Sequence, residues 1–192
     1  MEPKIDSLIK IWHKRNIKGL YCANKDDAAL KLLEIIPQAA SIGFSGSVTI
    51  DQLGIIKRIE ERGNKIFNPY LAGISRDESL ALRKKGALDA DYYLASANAV
   101  AETGELVFLS ALGNRTAGVS YAKNAIIVCG VNKLTANLDD AFKRAREYAT
   151  PLNYKRLNWN PDKIMCCQVL VIEAEVTPDR LKVILVGESL GF

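Results

Sequence analysis

"ASIGFSGSVTIDQLGIIKRIEERG", residues 40–63, holds the architecture in miniature. An unbroken apolar run of strand length ends in glycine and serine, and a helical pattern begins at once. A strand with no polar alternation is buried on both faces, as strands of parallel sheets are. In the segment that follows, Thr49 and Gln52 have the spacing of a capping box, and Gly63 sits where a helix would end.

The same alternation extends to both sides. Upstream, a first helix over residues 3–17 precedes a short strand in "GLYCAN". The segment "NKDDAALKLLEIIP" then spaces Ala29, Leu32, Leu33 and Ile36 helically, with Asn24 as its N-cap and Pro37 as its stop. Downstream, "NKIFNPY" reads as a strand and "SRDESLALRKKGALDA" as a helix with a second capping box, Ser75 and Glu78. The segment "DYYLASANAVAETGELVFLSA" reads as two strands around a loop. A turn and short helix in "GNRTAGVSYAK" lead to a buried strand in "NAIIVCGVNK". A helix over "NLDDAFKRAREYATP" presents Leu138, Ala141, Phe142, Ala145 and Tyr148 to the core. "QVLVIEAEVTPDRLKVILVGESLGF" closes the chain as two strands around a Thr-Pro-Asp-Arg turn. Strands alternating with helices of this length predict an α/β fold, with a mostly parallel sheet covered on both faces and antiparallel strands added late. No linker, internal repeat or low-complexity stretch divides the 192 residues, so one domain is expected, with the N-terminal helix packed on it.

Three stretches could carry chemistry. In "GFSGSVT", residues 43–49, a buried strand ends in Gly46 and Ser47 and a helix starts. Backbone N–H groups there, with the hydroxyls of Ser45, Ser47 and Thr49, could hold an anion, and Gly43 and Gly46 could let it approach the backbone. The same residues equally suit a plain strand-to-helix turn. The run lacks the lysine of a Walker loop and the full dinucleotide fingerprint. In "NAVAETGELV", residues 98–107, Asn98 and Glu102 follow a strand, on the edge where open α/β sheets bind ligands. Glu102 could act as general base or accept a bond from a ligand hydroxyl, with Thr103 beside it; otherwise it caps the loop. Glu105 is expected to face solvent. In "GNRTAGVSYAK", Asn114 and Arg115 stand at another strand-to-helix junction. The arginine fork suits a carboxylate or phosphate, or else pairs with Glu102 or Glu105 and only locks the loops. The set as a whole fits a small anionic, hydroxyl-bearing ligand.

Composition narrows the field. A net charge of +4, spread over helical segments rich in both signs, gives no nucleic-acid patch. No apolar run approaches the ~18 residues of a membrane span, and with no export signal the cytoplasm is the default compartment. Cys22 and Cys129 lie in apolar runs, Cys166 and Cys167 are adjacent, there is no C-x-x-C, and His13 is the only histidine. No metal site is expected.

At these three stretches the chain resembles the LUD-domain family, the lactate-utilisation proteins related to lactate-utilisation protein C. "GFSGSVTIDQLG", "NAVAETGELV" and "GNRTAGVSYAKNAIIVCGVNKL" match in order and spacing, and the likeness runs on through "DDAFKRAREYATPLNYKRLN" to "VILVGESLGF", roughly residues 17–192. The resemblance implies a three-layer sandwich like that of the sugar-phosphate isomerase and CoA-transferase superfamily. It also implies a link to oxidation of L-lactate to pyruvate beside iron–sulfur proteins. Carried over position by position, it marks Gly46, Ser47, Val48 and Thr49 as ligand-binding, then Asn98 and Glu102. One departure stands out. Many short relatives have a cysteine-rich stretch with a C-x-x-C before the last strands, and here "NWNPDKIMCCQVLV" keeps only Cys166 and Cys167. The chain itself offers no ligands for a cluster and no nicotinamide or flavin fingerprint, so no cofactor is expected. The expected partners are therefore a small anion and iron–sulfur proteins of a lactate-oxidising complex, with homo-oligomerisation open. A stand-alone enzyme on a hydroxy acid or sugar phosphate, with Glu102 as acid/base, and a non-catalytic ligand sensor are the alternatives.

Overall fold

The computed structural model describes residues 2–160 and 162–192. Met1, where the expected domain starts, and Pro161, in the shortened stretch before the last strands, lie outside them. In chain order the elements begin with α1 (Glu2–Lys14), β1 (Lys18–Cys22), α2 (Lys25–Ile35), β2 (Ile42–Phe44), α3 (Val48–Gln52), α4 (Ile55–Glu61), β3 (Ile66–Phe67) and α5 (Arg76–Leu88). There follow β4 (Tyr92–Ala95), β5 (Ala99–Ala101), β6 (Leu106–Ser110), α6 (Asn114–Tyr121), β7 (Ala125–Gly130), a 3-10 turn (Val131–Lys133) and β8 (Leu134–Thr135). The chain ends through α7 (Leu138–Lys143), a π-helical turn (Arg144–Ala149), α8 (Thr150–Arg156), β9 (Gln168–Ile172) and β10 (Leu181–Val186).

Six strands form one sheet in the order β1-β10-β7-β4-β2-β3, and every pairing in it is parallel. The alternation of side chains across the pleat sends each strand to two cores. Ile126 and Val128 of β7, with Ile184 of β10, pack against Leu32 of α2 and Ile50 and Ile59 of α3 and α4. Ile127 and Cys129, with Val183, face the other way, against Leu8 and Trp12 of α1 and Val119 of α6. Trp12 is fully buried, and its indole N–H donates to the Gly104 carbonyl at 2.8 Å, so the N-terminal helix is anchored as well as packed. A second sheet, β8-β5-β6-β9, lies on the α1 side and is covered by α7 through Ala141 and by the π-helical turn through Ala145. The layers are thus helices, a parallel sheet, and a mixed layer of helices and a small sheet, which is the expected α/β sandwich.

Four local expectations are corrected. First, the stretch 91–111 holds three strands rather than two. The chain leaves the parallel sheet after Ala95 and enters the small sheet at Ala99; between them the Ala97 and Asn98 carbonyls accept from the Lys133 and Arg144 side chains, and the Asn98 N–H already donates to Val107 of β6. Second, β9 and β10 do not form a hairpin, since β9 pairs antiparallel with β6 and β10 parallel with β7. Third, Ser47, not Thr49, caps α3, and Gly54 at φ 60° divides the predicted helix into α3 and α4. Fourth, Tyr148 is 54% exposed, under the Arg144 guanidinium. The π-helical turn adds a residue to the winding, so the buried face continues through Ala141, Ala145 and Ala149 and leaves Tyr148 outside.

The opposite edge of the parallel sheet is tied by Asp91. Its carboxylate accepts from the Ser41 N–H at 2.9 Å and the Ser41 hydroxyl at 2.8 Å, and pairs with Lys123 at 3.1 Å. The Ser41 N–H above all, then its hydroxyl and Lys123, hold the Asp91 carboxyl down to about 2, below an ordinary 3.8. A lowered carboxyl stabilises the native state above its unfolded value and loses that contribution as pH falls through the folded one. Asp91→Asn is therefore expected to unfold at lower temperature than the wild type at pH 7. The gap should close between about pH 4 and about pH 2, as melting curves across that range would register.

Candidate functional site

Because the sheet is parallel, β2, β4 and β7 all end on one edge, and the segments that follow them line one cleft of about 850 Å³. Open α/β sheets bind ligands at this edge. Three segments meet there: Ser45–Thr49 after β2, Ser96–Asn98 after β4, and Lys133 at the end of the 3-10 turn after β7.

Seven of the nine expected site residues line the cleft: Gly46, Ser47, Val48, Thr49, Asn98, Asn114 and Arg115. Their roles differ from the expectation in detail. The helix after "GFSGS" has only five residues, too short for much of a dipole. Ser47 uses its hydroxyl to accept from the Ile50 N–H at 3.5 Å. The space beside the Cα of Gly43 is filled by Gly86 of α5, and that beside Gly46 by the Tyr70 hydroxyl, so both glycines serve close packing within the protein. Thr49 is fully buried and bonds to its neighbours.

Glu102 and Thr103 lie elsewhere. Asn98 and Leu109–Ser110 form the cleft end of the β5–β6 hairpin, and the 102–105 loop is at its far tip, against α1. There Glu102 pairs with Lys4 at 3.0 Å beside a separate shallow hollow. Thr103 donates to Glu105, which is largely buried and pairs with Arg15 at 3.1 Å rather than facing solvent. The reading of three turns on one rim holds for two of them. It fails for the third because the chain changes sheets between residues 95 and 99. His13 is exposed on α1, away from the cleft.

Three cationic side chains converge on Ser96–Asn98. Arg115, from the first turn of α6, donates to the Gly46 carbonyl at 2.7 Å, the Leu109 carbonyl at 2.9 Å, Asn98 Oδ1 at 3.2 Å and Ser45 Oγ at 3.4 Å. Arg144, from the π-helical turn, donates to the Asn98 and Asn132 carbonyls. Lys133 donates to Ser96 Oγ at 2.8 Å, Thr49 Oγ1 at 2.9 Å and the Ala97 carbonyl at 3.1 Å. Every acceptor is neutral, and no carboxylate side chain among the described residues bonds to any of the three. Burial lowers all three pKa values; Lys133, only 3% exposed, falls to about 8, with Arg144 and Arg115 adding to the effect of desolvation. Arg83 and Arg156 line the cleft with Arg115 and Lys133, and Asp51 is the one acidic side chain there among the described residues. Partial burial raises the Asp51 carboxyl against the pull of Arg156.

Lys133 was not among the expected site residues. Its signal was present in "IIVCGVNK", a lysine three residues past the end of an entirely apolar strand. Position at the carboxyl edge of a central strand marks it; residue type alone, on a chain with 26 basic side chains, does not.

The described residues contain no cluster of three His, Cys, Asp or Glu able to hold a metal and no helix long and apolar enough to cross a membrane. The pattern of the LUD domain matches residues 5–186. The chain resembles the crystal structure of a DUF162 family protein from Deinococcus radiodurans. The TM-score is 0.57 at 13% identity, over 97% of this chain and 96% of that one, a likeness of fold. A weaker likeness to eIF2B delta from Chaetomium thermophilum covers 73% of this chain and 57% of that one, with TM-score 0.40 and 14% identity. No protein with a curated description matches.

Proposed function

Since the chain belongs to the LUD-domain family, we propose that it is the small-anion-binding component of hydroxy-acid utilisation. In this reading it receives L-lactate or its oxidation product pyruvate beside iron–sulfur partners that carry the electrons. The observation behind it is the convergence of Arg115, Arg144 and Lys133 on Ser96–Asn98 with neutral acceptors only. Buried charge that is not paired is costly, and three like charges around one short segment repel one another. Neutral donors would tie the same carbonyls together without that cost. A bound anion would remove it: its carboxylate would face the Arg115 guanidinium on the cleft wall, with its C2 oxygen toward the Ser96 hydroxyl and the Lys133 amine. The chain's own part is then to bind and orient the acid and to hold a proton at Lys133.

The test is thermal unfolding with lactate, pyruvate, ribose 5-phosphate, coenzyme A or inorganic phosphate at matched ionic strength. A carboxylate ligand at about a hundred times its Kd should raise Tm by ~5–10 °C. Equal melting temperatures in every anion and in chloride would overturn the reading. A shift without turnover, and without any iron–sulfur protein co-purifying, would favour a ligand sensor instead.

The pH dependence has a definite sign. Unfolded, the Lys133 amine keeps its proton up to its ordinary 10.5, whereas folded it releases it near 8. Between those values the native state binds fewer protons, so stability without ligand rises with pH. An anion that needs the ammonium should bind evenly below pH 8 and weaken above it, by at most about tenfold per pH unit. Lactate titrations at pH 7, 8 and 9 would reveal either course.

A further inference from the structure

We propose that Lys133 condenses with the C2 carbonyl of a 2-oxo acid bound in the cleft, forming an imine. This rests on the anion-binding reading above and narrows it to one ligand class and one atom.

The ion-paired surface lysines set the contrast. Lys4, Lys18, Lys31, Lys57 and Lys123 each pair with a carboxylate on the surface. Lys182, the other buried lysine, has Asp179 beside it. Lys133 is buried on the cleft lining, has no carboxylate partner among the described residues, and has Arg115 and Arg144 opposing its charge. With its pKa near 8, about a tenth of it is free amine at pH 7. Desolvation of a lysine beside another cationic group is an established route to a nucleophilic amine. The Arg115 guanidinium that would take the ligand carboxylate lines the cleft against the same segment, at Asn98, so the carbonyl next to that carboxylate is the one presented to Nζ.

The step balances without any co-reactant. The lone pair of the neutral amine attacks C2, a C–N bond forms, and the C=O π pair moves to oxygen, which takes up a proton. The carbinolamine then expels that oxygen as water while nitrogen loses its remaining proton, leaving C=N. The Ser96 hydroxyl, 2.8 Å from Nζ and 3.3 Å from Thr49 Oγ1, is positioned to carry the proton between nitrogen and oxygen. A 2-hydroxy acid has no carbonyl at C2 and can occupy the site only as a competitor.

The test uses the full chain with pyruvate and cyanoborohydride, read by intact mass and peptide mapping, with melting temperature measured in parallel. The expected result is one reduced adduct on Lys133, formed at least about tenfold faster than on any other lysine. It should form faster at pH 8 than at pH 6.5, be slowed by lactate, and be missing in Lys133→Met and Lys133→Arg. The wild-type peptide map decides the matter even if a variant fails to fold. A pyruvate-induced rise in Tm with no preferential adduct at Lys133 would overturn the imine and leave the anion site standing. Neither a Tm rise nor an adduct would overturn both.

Discussion

Arg115→Met is expected to bind lactate or pyruvate about a hundredfold more weakly, the equivalent of ~2.7 kcal/mol, and to unfold ~5–10 °C below the wild type. The two effects have separate origins. Four neutral oxygens on three segments accept from this one guanidinium: Ser45 and Gly46 after β2, Asn98 after β4, and Leu109 in β6. Methionine keeps the apolar stem but donates nothing, so two backbone carbonyls lose a donor. Part of that loss is offset because one of three mutually repelling charges disappears. Arg115→Lys would not restore the wild type, since a single ammonium cannot span acceptors that a planar fork reaches in several directions. Denaturant unfolding and lactate titration separate the contributions. An affinity equal to wild type in a destabilised variant would make Arg115 a strut alone and remove it from the ligand site.

Gly43→Ala is expected to lose about 3 kcal/mol or more and ~6–12 °C in Tm, since among the described glycines an added Cβ meets its tightest contact here. A Cβ on Gly43 would lie 1.9 Å from the Gly86 carbonyl oxygen and 2.5 Å from the Gly86 Cα. Those are backbone atoms of α5, so relief requires the whole helix to move off β2. Gly86→Ala reverses the geometry at far lower strain. Its Cβ would meet the Gly43 Cα at 3.1 Å and the Phe67 Cβ at 3.3 Å, and alanine gains ~1 kcal/mol of helix propensity over glycine. Comparable melting temperatures for the two variants would disprove the close approach of α5 to β2.

The layers of the fold were legible because burial on two faces writes itself into a strand as unbroken apolar sequence, as in "NAIIVCGVNK". Capping chemistry was legible where one residue decides it: the Ser75–Glu78 box is present, with its Ser75 N–H donating to the Glu78 carboxylate at 2.8 Å. What periodicity could not reveal was where a strand changes sheets. "DYYLASANAV" remains apolar and small across the crossing, and only the bonds made by Ser96, Ala97 and Asn98 to distant side chains mark it. That one break moved Glu102 from the expected rim to the far tip of a hairpin. The cleft was readable as a place, because Asn98, Arg115 and the 46–49 loop all follow strand ends. It was not readable as a charge distribution, because which cations go unpaired depends on partners far away in sequence. Glu105 shows the converse: its partner, Arg15, is 90 residues away.

Of the four connections between the two sheets, two are short and of equal length, residues 96–98 between β4 and β5 and residues 131–133 between β7 and β8. Lys133, the last residue of one crossing, fastens onto Ser96 and Ala97 of the other. Arg144 spans the same pair, donating to Asn98 of one and Asn132 of the other, so the two crossings are stitched by an amine and a guanidinium together. A ligand that engages the Lys133 amine therefore bears on both of these crossings at once.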